Sequence, residues 1–292
     1  MTLAAPADLE SGSTASSTGE TSPRRRIALS PSRASDFRQC PLKYRLRAID
    51  RIEETPSAAA TRGNVVHAAL EALYDLPAPE RSPERATELV GPAWDRLVAE
   101  RPGLAEAFAD PERVALLAGA ESLVQAYFRL ENPAGFEPES CESRVEVELD
   151  DGVLLRGFID RIDVATNGAL RVVDYKTGRV PSEMREQSAL LQMKFYALIV
   201  LRTRGILAKQ LRLLYLSSGD ILTYEPDAEE LLRFERTLSA MWRAILAAGA
   251  TGDFRPNPSR LCNWCDYKAL CPSFGGTTPE YPGWPESEEL EP

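Results

Sequence analysis

The sequence predicts an α/β (α+β) fold in which one mixed β-sheet is flanked by helices. Three observations carry this reading. Helix-period patterning runs from Ala34 to Leu130, strict two-residue alternation begins at Ser143, and a helix-period segment at Gln187–Thr203 separates a third strand from a fourth.

Taken in order, Ser30-Pro31-Ser32 starts a helix that Phe37, Leu42, Tyr44 and Leu46 continue over Ala34–Ala48. Gly63–Tyr74 is a short amphipathic helix that carries His67, with Leu70, Leu73 and Tyr74 for packing. Glu84–Glu100 and Pro111–Leu130 read as two longer helices, divided by Pro102-Gly103 and Asp110-Pro111. Ser143–Leu149 alternates Val145, Val147 and Leu149 with Arg144, Glu146 and Glu148, the pattern of a half-buried strand. Asp150-Asp151-Gly152 turns the chain into a second strand, Val153–Asp160. Asn167-Gly168 turns it again into a third, Leu170–Lys176. After the Gln187–Thr203 helix come strands at Gln210–Leu216 and Ile221–Tyr224, then a long helix from Asp227 to about Ala248. The remainder is rich in Pro, Asn and Cys.

The 292 residues are 43% hydrophobic and 27% charged, which excludes a collagen-like or wholly disordered chain. The formal charge of −10 argues at first sight against a nucleic-acid partner, but it is unevenly placed. Residues 1–22 hold Asp8, Glu10 and Glu20, and residues 277–292 hold Glu280, Glu286, Glu288, Glu289 and Glu291, with no Lys or Arg in either stretch. Both ends are poor in core-forming residues, so 1–27 and 276–292 are expected to be disordered tails around a single domain, 28–275. Arg24 to Arg51 holds nine basic residues against Asp36 and Asp50, interleaved with Phe37 and Tyr44. A phosphate-contacting surface has that composition, and so does a solvated helix face. Residues 1–22 have neither the basic nor the apolar region of a signal peptide, and Gln192 and Lys194 interrupt the most apolar helix. The expected location is cytoplasmic, without membrane contact. An odd count of five cysteines there points to metal ligation or buried thiols.

The chemistry centres on Gly157-Phe158-Ile159-Asp160-Arg161-Ile162-Asp163 and Val172-Val173-Asp174-Tyr175-Lys176-Thr177-Gly178. A hairpin would bring Asp160, at the end of the second strand, beside Asp174, so that both carboxylates converge on one hard divalent cation such as Mg²⁺ or Mn²⁺. Lys176 shares the sheet face of Asp174 because strand side chains alternate. Two carboxylates, a metal and an ammonium suit attack of water on a phosphodiester, since the metal lowers the pKa of bound water from about 15.7 towards neutrality. Asp163 is a rival ligand to Asp160, and Glu146 or Glu148 could face the site from the preceding strand. Taken one by one, each residue is also an ordinary strand-end charge.

Together, "GFIDRID" and "VVDYKTG" resemble the second and third motifs of the RecB-like branch of the PD-(D/E)xK nuclease superfamily. "RGNVVHAALEAL" is similar to its first motif, which implies that His67 completes the metal site. Gln192 and Tyr196 in "LLQMKFYALIV" match its Gln-x-x-x-Tyr motif, which implies contact with nucleic acid beside the active site. Ile159 stands where the superfamily's name places proline, a departure common in this branch. The resemblance spans about residues 28–275 and implies a restriction-endonuclease-like core.

Cys262-x₂-Cys265-x₅-Cys271 is a compact thiolate cluster with a fourth ligand position open. S₄ ligation suits zinc and iron–sulfur alike. "SRASDFRQCPLKYRLR" resembles the N-terminal element of iron–sulfur nucleases of this branch, including AddB-type and CRISPR-associated relatives. That resemblance implies a [4Fe–4S] cluster on Cys40, Cys262, Cys265 and Cys271 that clips the two ends of the domain together, with zinc as the alternative occupant. Cys141 matches no motif and reads as a free structural thiol. No Walker A loop, Gly-x-Ser-x-Gly or Rossmann glycine run is present. The expectation is a metal-dependent deoxyribonuclease, by resemblance an exonuclease on single-stranded DNA or DNA ends, acting in repair or recombination beside a helicase or recombination partner. The competing readings are a non-catalytic DNA-binding module and a CRISPR-adaptation nuclease.

Overall fold

A computed structural model describes residues 27–178 and 183–285, with only the backbone of 183–188. The first 26 residues, Glu286–Pro292 and most of the expected N-terminal tail lie outside them.

The chain starts with α1 (Pro31–Gln39) and α2 (Pro41–Tyr44), which runs on into a π-helical turn at Arg45–Ile49. The single helix expected over Ala34–Ala48 is therefore interrupted at Cys40, whose backbone is extended (φ −161°, ψ 109°). Pro41 is the cause, because its ring disfavours helical backbone in the residue before it. Helix α3 (Ala58–Tyr74) is capped by Ser57, whose hydroxyl accepts from the Ala60 N–H at 3.2 Å. The helix expected at Glu84–Glu100 is two, α4 (Pro83–Glu88) and α5 (Val90–Glu100), because Pro92 has no N–H to continue the ladder. Then follow α6 (Gly103–Ala107) and α7 (Glu112–Tyr127).

The sheet comprises β1 (Ser140–Glu148), β2 (Leu154–Val164), β3 (Leu170–Lys176), β4 (Gln210–Tyr215) and β5 (Asp220–Tyr224), in spatial order 1-2-3-4-5. Gly152, at φ 83°, makes the first hairpin turn in the left-handed region that suits glycine. Only β3 and β4 are parallel, and α8 (Glu183–Arg204) makes the crossover between them. Helix α9 (Ala228–Thr251) follows β5, capped by Asp227 as the sequence suggests. On one face, Val173, Tyr175, Leu214 and Leu216 share a continuous core with α3, α4, α5 and α7. On the other, Val172, Leu211 and Leu213 meet Met193 and Tyr196 of α8. The mixed sheet between helices is the predicted class.

Strand β2 is longer than expected. It pairs Arg161 with Val173 and runs on to Val164 opposite Leu170, so Asp160 lies inside the strand and not at its end. Arg161 and Asp163 can remain buried there because they neutralise each other at 2.9 Å.

The C-terminal boundary also moves. The compact unit runs from Ala28 to Trp284, so it reaches into the 276–292 stretch read from composition as a tail. Tyr281 donates to the Gly249 carbonyl at 2.8 Å, and the Trp284 ring occupies the space a side chain at Gly249 would need. With Trp284 seated on Gly249 of α9 and Tyr281 on Gly252 just past it, this segment has apolar burial that a count of its charges misses. No helix among the described residues is long and apolar enough to cross a membrane.

Candidate active site

The β2–β3 ladder stops at Arg161–Val173. One step further, Asp160 and Asp174 stand opposite each other. The Asp160 carboxylate accepts the Tyr175 N–H at 2.7 Å, so a side chain takes the hydrogen bond that the ladder would otherwise make. This parting of two strands leaves both carboxylates buried but not covered by pairing.

Helix α3 delivers His67 to the same place. Its face of Val65, Val66, Ala69, Leu70 and Leu73 is fully buried. Gly63, one turn before His67, lets the helix approach β3: a Cβ there would lie 3.2 Å from Thr177 Oγ1. His67 Nε2 lies 3.0 Å from the Tyr175 carbonyl, and Nδ1 lies 3.4 Å from Asp160 Oδ2.

On β3, alternation sends Asp174 and Lys176 toward α8. Lys176 Nζ lies 2.6 Å from Asp174 Oδ2 and donates to Gln192 Oε1 at 2.7 Å. Gln192 Nε2 donates to Asp174 Oδ1 at 2.8 Å and approaches the Tyr196 hydroxyl at 3.3 Å. Tyr196 packs against Gly157, where a Cβ would be only 2.8 Å from its ring. The six residues singled out from the sequence thus form two connected groups. His67 and Asp160 stand on one side, and Asp174, Lys176, Gln192 and Tyr196 on the other.

Burial alone would lower the pKa of His67, but Asp160, Glu142 and Asp174 raise it well above its ordinary value. Burial alone would raise that of Asp160, but His67, the Tyr175 N–H and Lys176 bring it below the usual carboxylate value. Burial pushes Asp174 up to about 6, with Lys176 opposing and Asp160 reinforcing. Burial would lower Lys176, but Asp174 and Asp160 hold it above its usual value, so it is an ammonium.

The residues present fit a divalent cation. Asp174 Oδ2 is buried and accepts no aligned hydrogen bond. Among the described residues, His67, Asp160 and Glu142 form the one set of three His, Cys, Asp or Glu ligand atoms lying within 4.8 Å of one another. An imidazole with carboxylates, of which Asp160 and Asp174 are buried, is a donor set for a hard or borderline metal ion. Glu142 was not singled out in the sequence. It sits before the alternating run of β1, so no periodicity marked it.

The other acidic candidates go elsewhere. Asp163 pairs with Arg161 and with Arg171 at 2.8 Å, and Glu146 lies at the surface with Arg156 and Arg144. Much of the basic stretch is also used internally. Arg45 is buried against Asp50 and Tyr281, and Lys43 and Arg47 both pair with Asp36. Tyr44 is buried too, so it offers no stacking surface. Arg24, Arg25 and Arg26 lie outside the described residues.

At the opposite end of the chain, Cys40, Cys262, Cys265 and Cys271 line one cavity together with Leu42, Leu46 and Tyr267. Tyr267 ties the C-terminal segment to the N-terminal one by donating to the Ile52 carbonyl at 2.9 Å. The Asn257 N–H donates to Cys40 Sγ at 3.4 Å and the Ser259 N–H to Cys262 Sγ at 3.3 Å. Cys141 packs apart from them against the main core, where burial pushes its thiol up to about 12.

The chain is similar to the Gene 69 protein of Mycobacterium phage D29, 28% identical over 291 residues covering 84% of this chain and 96% of that protein. It is similar to the Gene 69 protein of Mycobacterium phage L5, 27% identical over 287 residues with the same coverage. The solved structure of SSO0001 covers 81% of this chain and 94% of its own at 17% identity and a TM-score of 0.36. The family model of the PD-(D/E)XK nuclease superfamily matches residues 28–272, which include every residue of the site, and the chain belongs to that superfamily.

Proposed function

We propose that the chain is a divalent-metal-dependent deoxyribonuclease of the RecB-like type, hydrolysing phosphodiester bonds as an exonuclease on single-stranded DNA or DNA ends during repair or recombination. The observation that carries this reading is the gathering of His67, Asp160, Asp174 and Lys176 where β2 and β3 part. His67, Asp160 and Asp174 would hold Mg²⁺ or Mn²⁺. When bound, such an ion activates water and screens phosphate charge.

The chain's own residues set the rest. Lys176, held as an ammonium by Asp174 and Gln192, presents positive charge where a phosphodiester gathers negative charge in the transition state. Gln192 fixes the distance between that ammonium and Asp174 and, with Tyr196, lines the approach for the strand. The test is cleavage of labelled single-stranded DNA with Mn²⁺ by wild type, Asp174→Ala and Lys176→Ala. Loss in both variants supports the assignment, and equal cleavage by all three proteins overturns it. DNA binding without cleavage by wild type would favour a non-catalytic module.

Cys40, Cys262, Cys265 and Cys271 are assigned to a [4Fe–4S] cluster, supported by their shared cavity and by the N–H···S contacts. Among the described residues no three cysteine sulfurs lie within 4.8 Å of one another. Tetrahedral thiolate ligation also suits zinc, which is the alternative occupant. Anaerobically purified protein is expected to be brown, with broad absorbance near ~400 nm. Colourless protein with stoichiometric zinc would decide for the alternative.

A further inference from the structure

The β1–β2 ladder pairs Cys141 with Arg161 and Ser143 with Ile159. Between these pairs Glu142 stands opposite Asp160, and its backbone adopts φ 42°. Left-handed backbone in a glutamate is strained, and such strain persists only where the surrounding structure holds it in place. Here the local distortion accompanies a change of environment along the strand. Further along β1, Arg144 and Glu146 are exposed and pair with each other. The Glu142 side chain is only 26% exposed, and its Oε1 lies 3.5 Å from His67 Nδ1. Asp160 Oδ2 lies 3.4 Å from the same nitrogen. All three ligand atoms fall within 4.8 Å of one another, the spacing at which one ion can touch each of them.

We infer that Glu142 is a ligand of the divalent cation, completing with His67 and Asp160 a triad of one imidazole and two carboxylates. The inference rests on the metal-site reading above and extends it to a strand that carries none of the sequence motifs. Its structural logic is a division of labour. Asp174 is engaged by Lys176 and Gln192, so its carboxylate is shared between the cation site and the ammonium. Glu142 and His67 approach from β1 and α3 and supply donors that those two side chains do not occupy. Glycine or asparagine would tolerate φ 42° more easily but would lose the carboxylate.

The test is Mn²⁺ binding by the chelator-treated full chain, followed by loss of the free-ion EPR signal, a readout independent of cleavage. Four variants are compared with wild type: Glu142→Gln, Glu142→Gly, Asp160→Asn and, as a surface control, Glu146→Gln. Glu142→Gly accepts φ 42° without strain, so it carries the test if Glu142→Gln misfolds by circular dichroism. Both Glu142 variants and Asp160→Asn are expected to weaken Mn²⁺ binding by about 10-fold or more, with Glu146→Gln unchanged. If the Glu142 variants bind like wild type while Asp160→Asn is weakened, the inference is overturned and the metal site stands. If Asp160→Asn also binds like wild type, or wild type binds no Mn²⁺, the metal-site reading fails with it.

Discussion

Replacing Arg161 by Met should unfold this protein far more readily than its place beside a motif aspartate suggests. The side chain is completely buried. It forms ion pairs at 2.8 Å with Glu131 and 2.9 Å with Asp163, and Nη1 faces the hydroxyls of Tyr74, Tyr127 and Tyr175 at 2.8, 3.1 and 2.8 Å. Methionine fills similar space without charge. Asp163 would keep Arg171, but Glu131, whose side chain is 8% exposed, would lose its arginine. Removing one partner of a buried pair costs about 3–5 kcal/mol, because the remaining charge stays desolvated. At roughly 2–4 °C per kcal/mol for a domain of this size, Tm should fall by about 6–20 °C. The assay is equilibrium denaturation followed by circular dichroism in EDTA, so that metal binding does not mask the change. Adding Glu131→Gln to Arg161→Met should restore part of the loss. A single variant within ~1 kcal/mol of wild type, or a double variant no better than the single, would refute the reasoning.

Three further outcomes follow from the same geometry. Gly157→Ala places a Cβ 2.8 Å from the Tyr196 ring and should cost about 1–3 kcal/mol of overpacking while lowering DNA cleavage; denaturation midpoints and single-turnover rates test both. Gln192→Ala removes the link between Lys176, Asp174 and Tyr196 and should reduce cleavage about 10–100-fold through kcat, whereas a change in KM alone would mark it as a pure DNA contact. In EDTA, stability should decline as pH rises. His67 has a raised pKa, so its contribution is fully present below its ordinary value of 6.5 and is lost as pH climbs through the folded value. Asp174, pushed up to about 6 from 3.8, acts in the same direction across that lower window because its ionised form is disfavoured in the fold. His67→Gln should flatten the dependence of Tm on pH above 6.5, and an unchanged slope would contradict the assignment.

Local patterning carried much of this protein. Alternation at Val145 and Val147, the turn glycines and the capping aspartate are short-range signals, and the sheet and α9 follow them. Errors fell where a neighbouring residue or a distant partner overruled periodicity. Pro41 interrupts the first helix, Pro92 divides another, and Arg161 and Asp163 carry β2 past Asp160, where the second strand was expected to end. Residues 276–284 look solvated until Gly249 and Gly252 provide seats for Trp284 and Tyr281.

The site divides along the same line. By itself the sequence determined which residue types stand at motif spacing: His67 on its helix, Asp160, Asp174 and Lys176 on two strands, Gln192 and Tyr196 one turn apart, and three clustered cysteines with Cys40 far upstream. Only the tertiary structure decided that β2 and β3 part between Asp160 and Asp174, and that Asp163 faces arginines while Glu142 faces His67. It also brought Cys40 to the same cavity as the other three cysteines. Spacing along a strand or helix follows from backbone geometry that each residue carries with it. Which charge is neutralised by which depends on packing between elements far apart in the chain, and that is settled only when they meet.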